Sequence, residues 1–226
     1  MIAILVPVLG RPQAIRPLVE SIMVTKEKHE VVFLTTPADV DAHFVCKGTM
    51  WRTVVVEWNA GNGDWAKKIN YGLTLVEADF YLLGASDLRF HPGWDEQALS
   101  THERTGAGVI GTNDLGNATV MRGEHSTHPL IAHEYIEQGT IDDSSKLLHE
   151  GYAHQWVDTE LVETAKARGA WAFASRSYVE HLHPFWHKSE MDATYEKALS
   201  TSYPDHQLFL RRRRLWTPTR TGRLPV

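Results

Sequence analysis

The sequence predicts an α/β fold in which a mostly parallel, doubly wound sheet is flanked by helices. Two observations carry this prediction. Short apolar runs typical of buried strands alternate along the chain with segments whose apolar residues recur at helical spacing. Strands that alternate with helices are expected to pair in parallel. The length of 226 residues, with 42% of them hydrophobic, is enough to bury such a sheet.

The elements follow one another from the first residues. Residues 2–8 form a predicted strand, and residues 13–25 form a predicted helix whose apolar side chains share one face. The further predicted strands are 31–35, 54–58, 80–84, 109–112, 130–136, 171–175 and 179–183. The further predicted helices are 65–76, 158–168 and 193–201. Residues 113–154 are rich in His and Gly and contain no motif that predicts a role.

Composition and charge exclude several classes of protein. The formal net charge of −5 argues against a protein that binds nucleic acid over its whole surface. The opening apolar run is interrupted by Pro7 and lacks the features of a signal peptide, and we find no apolar stretch long enough to span a membrane. The single cysteine, Cys46, cannot form an internal disulfide. These features fit a protein of a reducing cytoplasm.

The C-terminal region carries a dense basic cluster, Arg211–Arg214, with further cations at Arg220 and Arg223. Such a run is typical of a solvated face or a flexible tail. The alternative is an arm that holds a polyanionic acceptor such as DNA. No internal repeat or linker marks a boundary, and we predict one domain over residues 1–195 with a basic extension over residues 196–226.

A Gly-rich loop leads into the predicted helix 65–76 and brings Lys67 into its first turn. Backbone N–H groups at a helix start and a nearby lysine suit phosphate, although a plain strand-to-helix loop explains the same residues. The loop follows the third strand, and Ala66 stands at the last glycine position of the dinucleotide fingerprint. A Rossmann dehydrogenase is therefore not expected.

Three other groups of side chains suit metal or acid–base chemistry. Asp87 follows a buried strand, where open α/β sheets bind ligands, and could hold a cation that bridges a diphosphate. Asp158 opens a predicted helix, where it could equally act as a cap. His181 and His183 lie on one face of a predicted strand and could ligate a metal with a distant aspartate, or could pair by chance in a chain with 13 histidines.

In this order and spacing, these segments resemble GT-A glycosyltransferases related to family 2, particularly the compact versions often encoded by bacteriophages and bacteria. The resemblance covers residues 1–195. The matching pieces are residues 6–12, residues 67–72, Asp87 with residues 90–94, residues 158–161 and residues 181–184.

The resemblance implies a nucleotide-sugar donor, a divalent metal (Mn²⁺ or Mg²⁺) and a role for each matching residue. Asp158 would be the catalytic base, Asp87 would bind the metal, and His183, or failing that His181, would complete the metal site. The implied donor-binding residues are Pro7, Val8, Gly10, Arg11, Lys67, Asn70 and Ser86. The chain departs from the aspartate-any-aspartate signature of the family at Ala85, and it has Thr35-Thr36-Pro37 where an acidic residue often follows the second strand.

We therefore expect a glycosyltransferase, hexosyl or pentosyl, that inverts the anomeric centre with Asp158 as base. The acceptor could be a phage or host protein, a glycan or modified DNA, and the expected location is the cytoplasm of a bacterium or a phage-infected host. Two alternatives stay open: a non-catalytic nucleotide-sugar or carbohydrate-binding module, and a nucleotidyltransferase. The second would need a Gly-rich basic loop directly after the first strand, of which Gly10-Arg11 is a poor version.

Overall fold

The computed structural model describes residues 1–25 and 29–217, in which eight strands form one sheet flanked by helices on both faces. The strands are β1 (Ile2–Pro7), β2 (Glu30–Thr35), β3 (Arg52–Val55), β4 (Phe80–Leu83), β5 (Leu88–Phe90), β6 (Val109–Asn113), β7 (Leu130–Ala132) and β8 (Trp171–His181). The helices are α1 (Pro12–Met23), α2 (Val40–Lys47), α3 (Asp64–Leu73), α4 (Trp94–Thr105), α5 (Ala118–Met121), α6 (His133–Ile136), α7 (Val157–Ala167), α8 (Ala193–Ser200) and α9 (Ser202–Arg212).

The sheet is mixed, so the expectation of a mostly parallel sheet was wrong. Its order is β3-β2-β1-β4-β7-β6-β8-β5. The first four strands in this order run parallel, as does the β6–β8 pair, but β7 is antiparallel to both β4 and β6, and β5 is antiparallel to β8. β4 and β5 are not neighbours in this order, although only residues 84–87 separate them along the chain.

Several elements differ from the sequence expectation. The helices α2, α4, α5 and α9 and the short strand β5 were not predicted. The predicted strand 130–136 is instead β7 followed directly by α6. The two predicted strands 171–175 and 179–183 are one long strand, β8, whose pairing with β6 shifts register between Gly111 and Asn113. A bulge breaks the alternation of side chains, which is why the sequence pattern looked like two strands.

The core consists of two apolar layers, one on each face of the sheet. In β1, Ala3 and Leu5 point into the layer under α3, α7 and α9, whereas Ile4 and Val6 point into the layer under α1, α2 and α4. The central strands are therefore buried on both faces, which explains their continuous apolar runs. Among the described residues, no helix combines the length and the apolar character that crossing a membrane requires.

A buried ion pair fixes the loop that follows β1. The Lys68 ammonium is fully buried, lies 2.8 Å from the Asp64 carboxylate and donates to the Val8 carbonyl at 2.6 Å. Burial lowers the pKa of Lys68, and Asp64 opposes that effect. Trp58 donates its indole N–H to the other oxygen of Asp64. The start of α3 thus holds the end of β1 through a charge that is fully paired, as a buried charge must be.

The C-terminal helix α9 packs on the same core layer as α3 and α7, and one arginine of the basic cluster anchors it. The Arg212 guanidinium is buried between Glu160, at 2.7 Å, and Asp142, at 2.7 Å, while Tyr152 donates to Glu160. Arg211 is exposed. Arg220 and Arg223 lie outside the described residues, and the domain division at residue 195 stays a prediction.

Arg212→Ala should lower the free energy of unfolding by about 3–5 kcal/mol, because it leaves the buried Glu160 carboxylate without its partner. Arg211→Ala is the matched control, and it should change stability by less than about 0.5 kcal/mol because that side chain is exposed. Urea denaturation of both variants measures the difference. Equal effects of the two substitutions would show that the ion pair does not hold α9 in place.

Candidate active site

A cavity of about 160 Å³ opens at the carboxyl ends of β1 and β4, which lie side by side near the middle of the sheet. Pro7, Asp87, Asp158 and His181 are among the residues that line it. A second cavity of about 310 Å³ adjoins it and shares several lining residues with it, including Leu9. Carboxyl ends of parallel strands are where open α/β sheets bind ligands. The two cavities together form the candidate site.

Asp87 lines the first cavity and is surrounded by polar partners. Its Oδ2 atom accepts from Arg11 Nη1 at 3.0 Å and from the Tyr195 hydroxyl at 2.7 Å, and it lies 3.5 Å from His181 Nε2. Burial raises the pKa of the Asp87 carboxyl, but His181, Tyr195 and Arg11 outweigh it and hold that pKa well below its usual range. The carboxylate is therefore ionised at every physiological pH.

Arg11 reaches Asp87 from the turn between β1 and α1. Gly10 and Arg11 have φ values of 63° and 54°, and a positive φ is uncommon for a residue other than glycine. The Arg11 guanidinium also donates to Asp192 at 2.8 Å and lies over the Tyr195 ring, 3.7 Å from its centroid. Strained residues of this kind cluster at binding sites, and here the turn aims a cation into the cavity.

Tyr195 and Asp192 come from the start of α8, which closes one side of the cavity. Asp192 caps this helix by accepting from the N–H groups of Thr194 and Tyr195. Sequence reasoning predicted the helix but missed the role of Tyr195, because its contact with Asp87 joins residues 108 positions apart and leaves no local pattern.

Asp158, the expected base, lies at the start of α7 and lines the same cavity as Asp87. Its Oδ2 atom is 3.2 Å from His125 Nε2, and its Oδ1 atom accepts from the N–H of Thr159 at 2.8 Å. Burial raises the pKa of the Asp158 carboxyl, but the hydrogen bond and charge of His125 outweigh it, so the pKa lies below its ordinary value.

His181, His183 and His128 are among the imidazoles near Asp87, and they differ in which ring nitrogen has a hydrogen-bond partner. His181 is the one whose Nε2 faces Asp87. His183 Nδ1 accepts from the N–H of Phe185 at 3.2 Å, so its neutral ring carries its proton on Nε2. His128, which sequence reasoning missed, is 2.8 Å from the Leu83 carbonyl through Nδ1, which must therefore carry the proton.

The second cavity has an acidic residue that sequence reasoning also missed. Asp39 lines it, accepting from the N–H of Gly10 at 3.1 Å and from the Thr36 hydroxyl at 2.8 Å. Residues 35–37, directly after the second strand, are not acidic, and the turn that follows β2 places the carboxylate at residue 39 instead. Gly61 and Asn62 of the Gly-rich loop also line this cavity.

The remaining expected donor-binding residues divide into two groups. Ser86 is buried and lines the first cavity, and the Val8 carbonyl is engaged by Lys68. Lys67 and Asn70 are not among the described residues that line either cavity. The Asn70 amide binds both the carbonyl and the N–H of Leu148 and holds that loop instead. A donor contact for Lys67 or Asn70 stays a prediction.

The fit of a divalent metal rests on Asp87 and His181. Within residues 1–25 and 29–217, no set of three or more His, Cys, Asp and Glu side chains is arranged to hold a metal by itself. The 3.5 Å between Asp87 Oδ2 and His181 Nε2 is nevertheless a spacing that two ligands of one metal can adopt. Metals that act on diphosphates take only one or two protein ligands and complete their shell with phosphate oxygens and water. The residues present therefore fit a metal that binds together with a diphosphate.

The fold matches solved glycosyltransferases. A mannosyltransferase from Pyrobaculum calidifontis, solved with GDP-Man and Mn²⁺, has a TM-score of 0.61 at 11% identity over 91% of this chain and 69% of that one. Glucosyl-3-phosphoglycerate synthase from Mycobacterium tuberculosis, with Mn²⁺, UDP-Glc and glycerol 3-phosphate, has a TM-score of 0.63 at 14% identity over 94% and 79%. TarS 1–349 of S. aureus, with UDP, has a TM-score of 0.59 at 14% identity over 79% and 59%. No family model and no curated protein matches the sequence. At these identities the likeness shows a shared α/β fold.

The His128 ring should stay neutral, with its proton on Nδ1, from pH 8 down to near its lowered pKa of about 4, because burial and the neighbouring His181 disfavour its charged form. Ring ¹⁵N chemical shifts recorded across this pH range measure its protonation, and a His128→Asn variant assigns its signals. A His128 ring that titrates near the ordinary value of about 6.5 would contradict the buried position.

Proposed function

We propose that the protein is a GT-A glycosyltransferase that transfers a sugar from a nucleoside-diphosphate donor to an acceptor hydroxyl. The observation that carries this proposal is the meeting of Asp87 and Asp158 in one cavity at the carboxyl ends of β1 and β4. The fold supports it, since the matching solved structures include proteins with UDP, UDP-Glc or GDP-Man.

The two adjoining cavities suggest where each part of the donor binds. The second cavity, with Asp39 and the Gly61–Asn62 turn, suits the nucleoside, because a carboxylate can accept from the hydroxyl or N–H groups of a ribose or base. Arg11 lines the first cavity and follows Gly10, which lines the second, so it suits the diphosphate, which guanidinium binds strongly. The first cavity then receives the sugar, hexosyl or pentosyl, between Asp87 and Asp158.

We assign the metal site to Asp87 and His181, with His183 as the alternative imidazole. A divalent metal bound there would neutralise the charge that grows on the departing nucleoside diphosphate. Asp87 is suited to this role because it is ionised throughout the physiological range. Arg11 donates to the same oxygen of Asp87 and also to Asp192. A metal on Asp87 would replace the first of these contacts, and the guanidinium, still held by Asp192, would then be available to the diphosphate.

Asp158 is the proposed base of an inverting transfer. The acceptor hydroxyl gives its proton to Asp158 as its oxygen forms a bond to the anomeric carbon. The bond from that carbon to the diphosphate oxygen breaks on the opposite side, and the nucleoside diphosphate leaves with the electron pair. The lowered pKa of Asp158 keeps it ionised and ready to accept the proton at neutral pH.

The acceptor and the biological setting stay predictions from the sequence. A phage or host protein, a glycan and modified DNA are all hydroxyl-bearing acceptors that this chemistry can use. A cytoplasmic location, an origin in a bacterium or a phage and a relation to family 2 have the same standing.

Purified protein should release nucleoside diphosphate from a nucleotide sugar in the presence of Mn²⁺, and a panel with UDP-Glc and GDP-Man tests this. Asp158→Asn should lower the rate by about a hundredfold or more while donor affinity changes little, because the amide keeps the shape but cannot take a proton. Glu163→Gln makes the same type of carboxylate-to-amide change on α7 at a residue that pairs with Lys166 and is not among the described residues lining either cavity, so it should leave the rate unchanged. Donor binding without turnover in the wild type would favour the binding module, and nucleotidyl transfer would favour the nucleotidyltransferase.

Asp87→Asn should abolish the Mn²⁺ dependence of donor binding, because a neutral amide is a poor ligand for a divalent cation. Asp192→Asn is the matched control, since it also contacts Arg11 but lies further from the cavity. Comparison of His181→Ala with His183→Ala should show the larger loss of Mn²⁺ affinity for His181. Isothermal titration of donor with and without Mn²⁺ measures each effect, and retention of full metal dependence in Asp87→Asn would overturn the assignment.

A further inference from the structure

The segment 114–129, which the sequence left without a role, forms a wall of the candidate site. It begins where β6 ends, and its turn is organised by Asp114, whose carboxylate accepts from the N–H groups of Gly116 and Asn117. Ser126 then hydrogen-bonds to the backbone of Thr112 in β6. The segment is thus tied to the sheet at both ends, and the stretch from residue 125 to residue 128 lies in a defined position.

His125 belongs to this wall and contacts Asp158, the expected base. Its neighbour Glu124 is held by Lys166 of α7, whose ammonium donates to the Glu124 carbonyl at 2.5 Å. The His125 ring is 14% exposed and the Asp158 side chain 21%, so their contact at 3.2 Å is largely screened from solvent. Asp158 lines the cavity, whereas His125 is not among the described residues that line it.

The chemistry of this contact fixes which atom carries the proton. An ionised carboxylate only accepts hydrogen bonds, so His125 must donate an N–H from Nε2. The other carboxylate oxygen is held by the N–H of Thr159. Two donors from separate parts of the chain therefore grip the two oxygens of Asp158 and fix the plane of the carboxylate.

We propose that His125 is the positioning residue of the catalytic base: its Nε2–H holds Asp158 ionised and correctly oriented for the acceptor hydroxyl. The inference rests on the proposed function of Asp158. During transfer the acceptor proton moves to Asp158, and the His125 donor keeps the second oxygen in place while this happens. A base held in this way loses less rate to misorientation than a free carboxylate does.

Three imidazoles face Asp158, and the experiment must separate their effects. His125 and His128 approach it from the wall segment, and His154 approaches it from the loop before α7. Of these three rings, only His125 has a hydrogen bond to Asp158. Substitution of His125 therefore removes a directed bond. His154 lines both cavities, so a variant at that position would not be a neutral control.

The test compares His125→Leu, which removes the donor, with His125→Gln, whose amide N–H can replace Nε2–H. Wild type and variants are assayed for hydrolysis of whichever of UDP-Glc and GDP-Man the wild type turns over with Mn²⁺. For His125→Leu we expect kcat to fall by about ten- to a hundredfold with little change in KM for the donor, a part of what a general base contributes. The acid limb of its kcat profile should move to higher pH, because loss of a bond to the charged form raises the pKa of Asp158.

His125→Gln should recover most of the rate and return the acid limb toward its wild-type position. His91→Gln is the matched control that should leave the limb in place, because it alters another His–carboxylate pair, His91 Nε2 with Glu180 at 3.0 Å, whose residues are not among the described residues that line either cavity. Circular dichroism and thermal melts establish that each variant folds. An unchanged kcat in His125→Leu, or equal losses without a shifted acid limb in both His125 variants, would overturn the inference. Failure of the proposed function has a different signature, since the wild type itself would then show no turnover.

Discussion

The candidate site depends on the need to pair one buried carboxylate. Asp87 lies between β4 and β5, directly before Leu88, and a buried charge there is costly unless donors surround it. The chain supplies those donors from three distant regions: Arg11 from the turn after β1, His181 from the end of β8 and Tyr195 from α8. Each donor brings its own element to the cavity. The walls of the candidate site are thus assembled around this carboxylate.

The sequence predicted most of the first half of the fold, where local and global preferences agree. Strands β1 and β4 are apolar over their whole length, and β2 is apolar between Glu30 and Thr35, because both faces of these strands are buried. The predicted helices between them have one apolar face. The prediction of the second half of the fold failed where the direction of a strand in the sheet depends on partners far along the chain. Nothing local to Leu130–Ala132 specifies that β7 runs antiparallel to β4 and β6, and a three-residue strand carries too little pattern to separate it from the helix that follows.

The residues of the candidate site also fall into those that the sequence indicated and those that it did not. Asp87, Asp158 and His181 stand at the ends or beginnings of predicted elements, and the structure brings them to one cavity. The sequence indicated a donor contact for Asn70 as well, and in the structure the amide of Asn70 hydrogen-bonds to the backbone of Leu148. Tyr195 and His125 had no signal at all, since a hydroxyl or an imidazole in a polar stretch becomes informative only when its partner is known. Residues that support a site through contacts far along the chain are the ones that sequence patterns cannot reveal.

The anchoring of residues 153–155 has a consequence for the order in which the site is made. The Asp205 carboxylate accepts from the N–H groups of Ala153, His154 and Gln155, and the last two of these line the first cavity. During translation the N-terminal part of a chain emerges and folds first. The eight strands can therefore pair on the ribosome while this wall still lacks its anchor. A ligand that needs the finished wall can stabilise only chains whose synthesis has passed residue 205. Nascent chains would fold their sheet without help from such a ligand, and the ligand would favour only chains extended beyond residue 205.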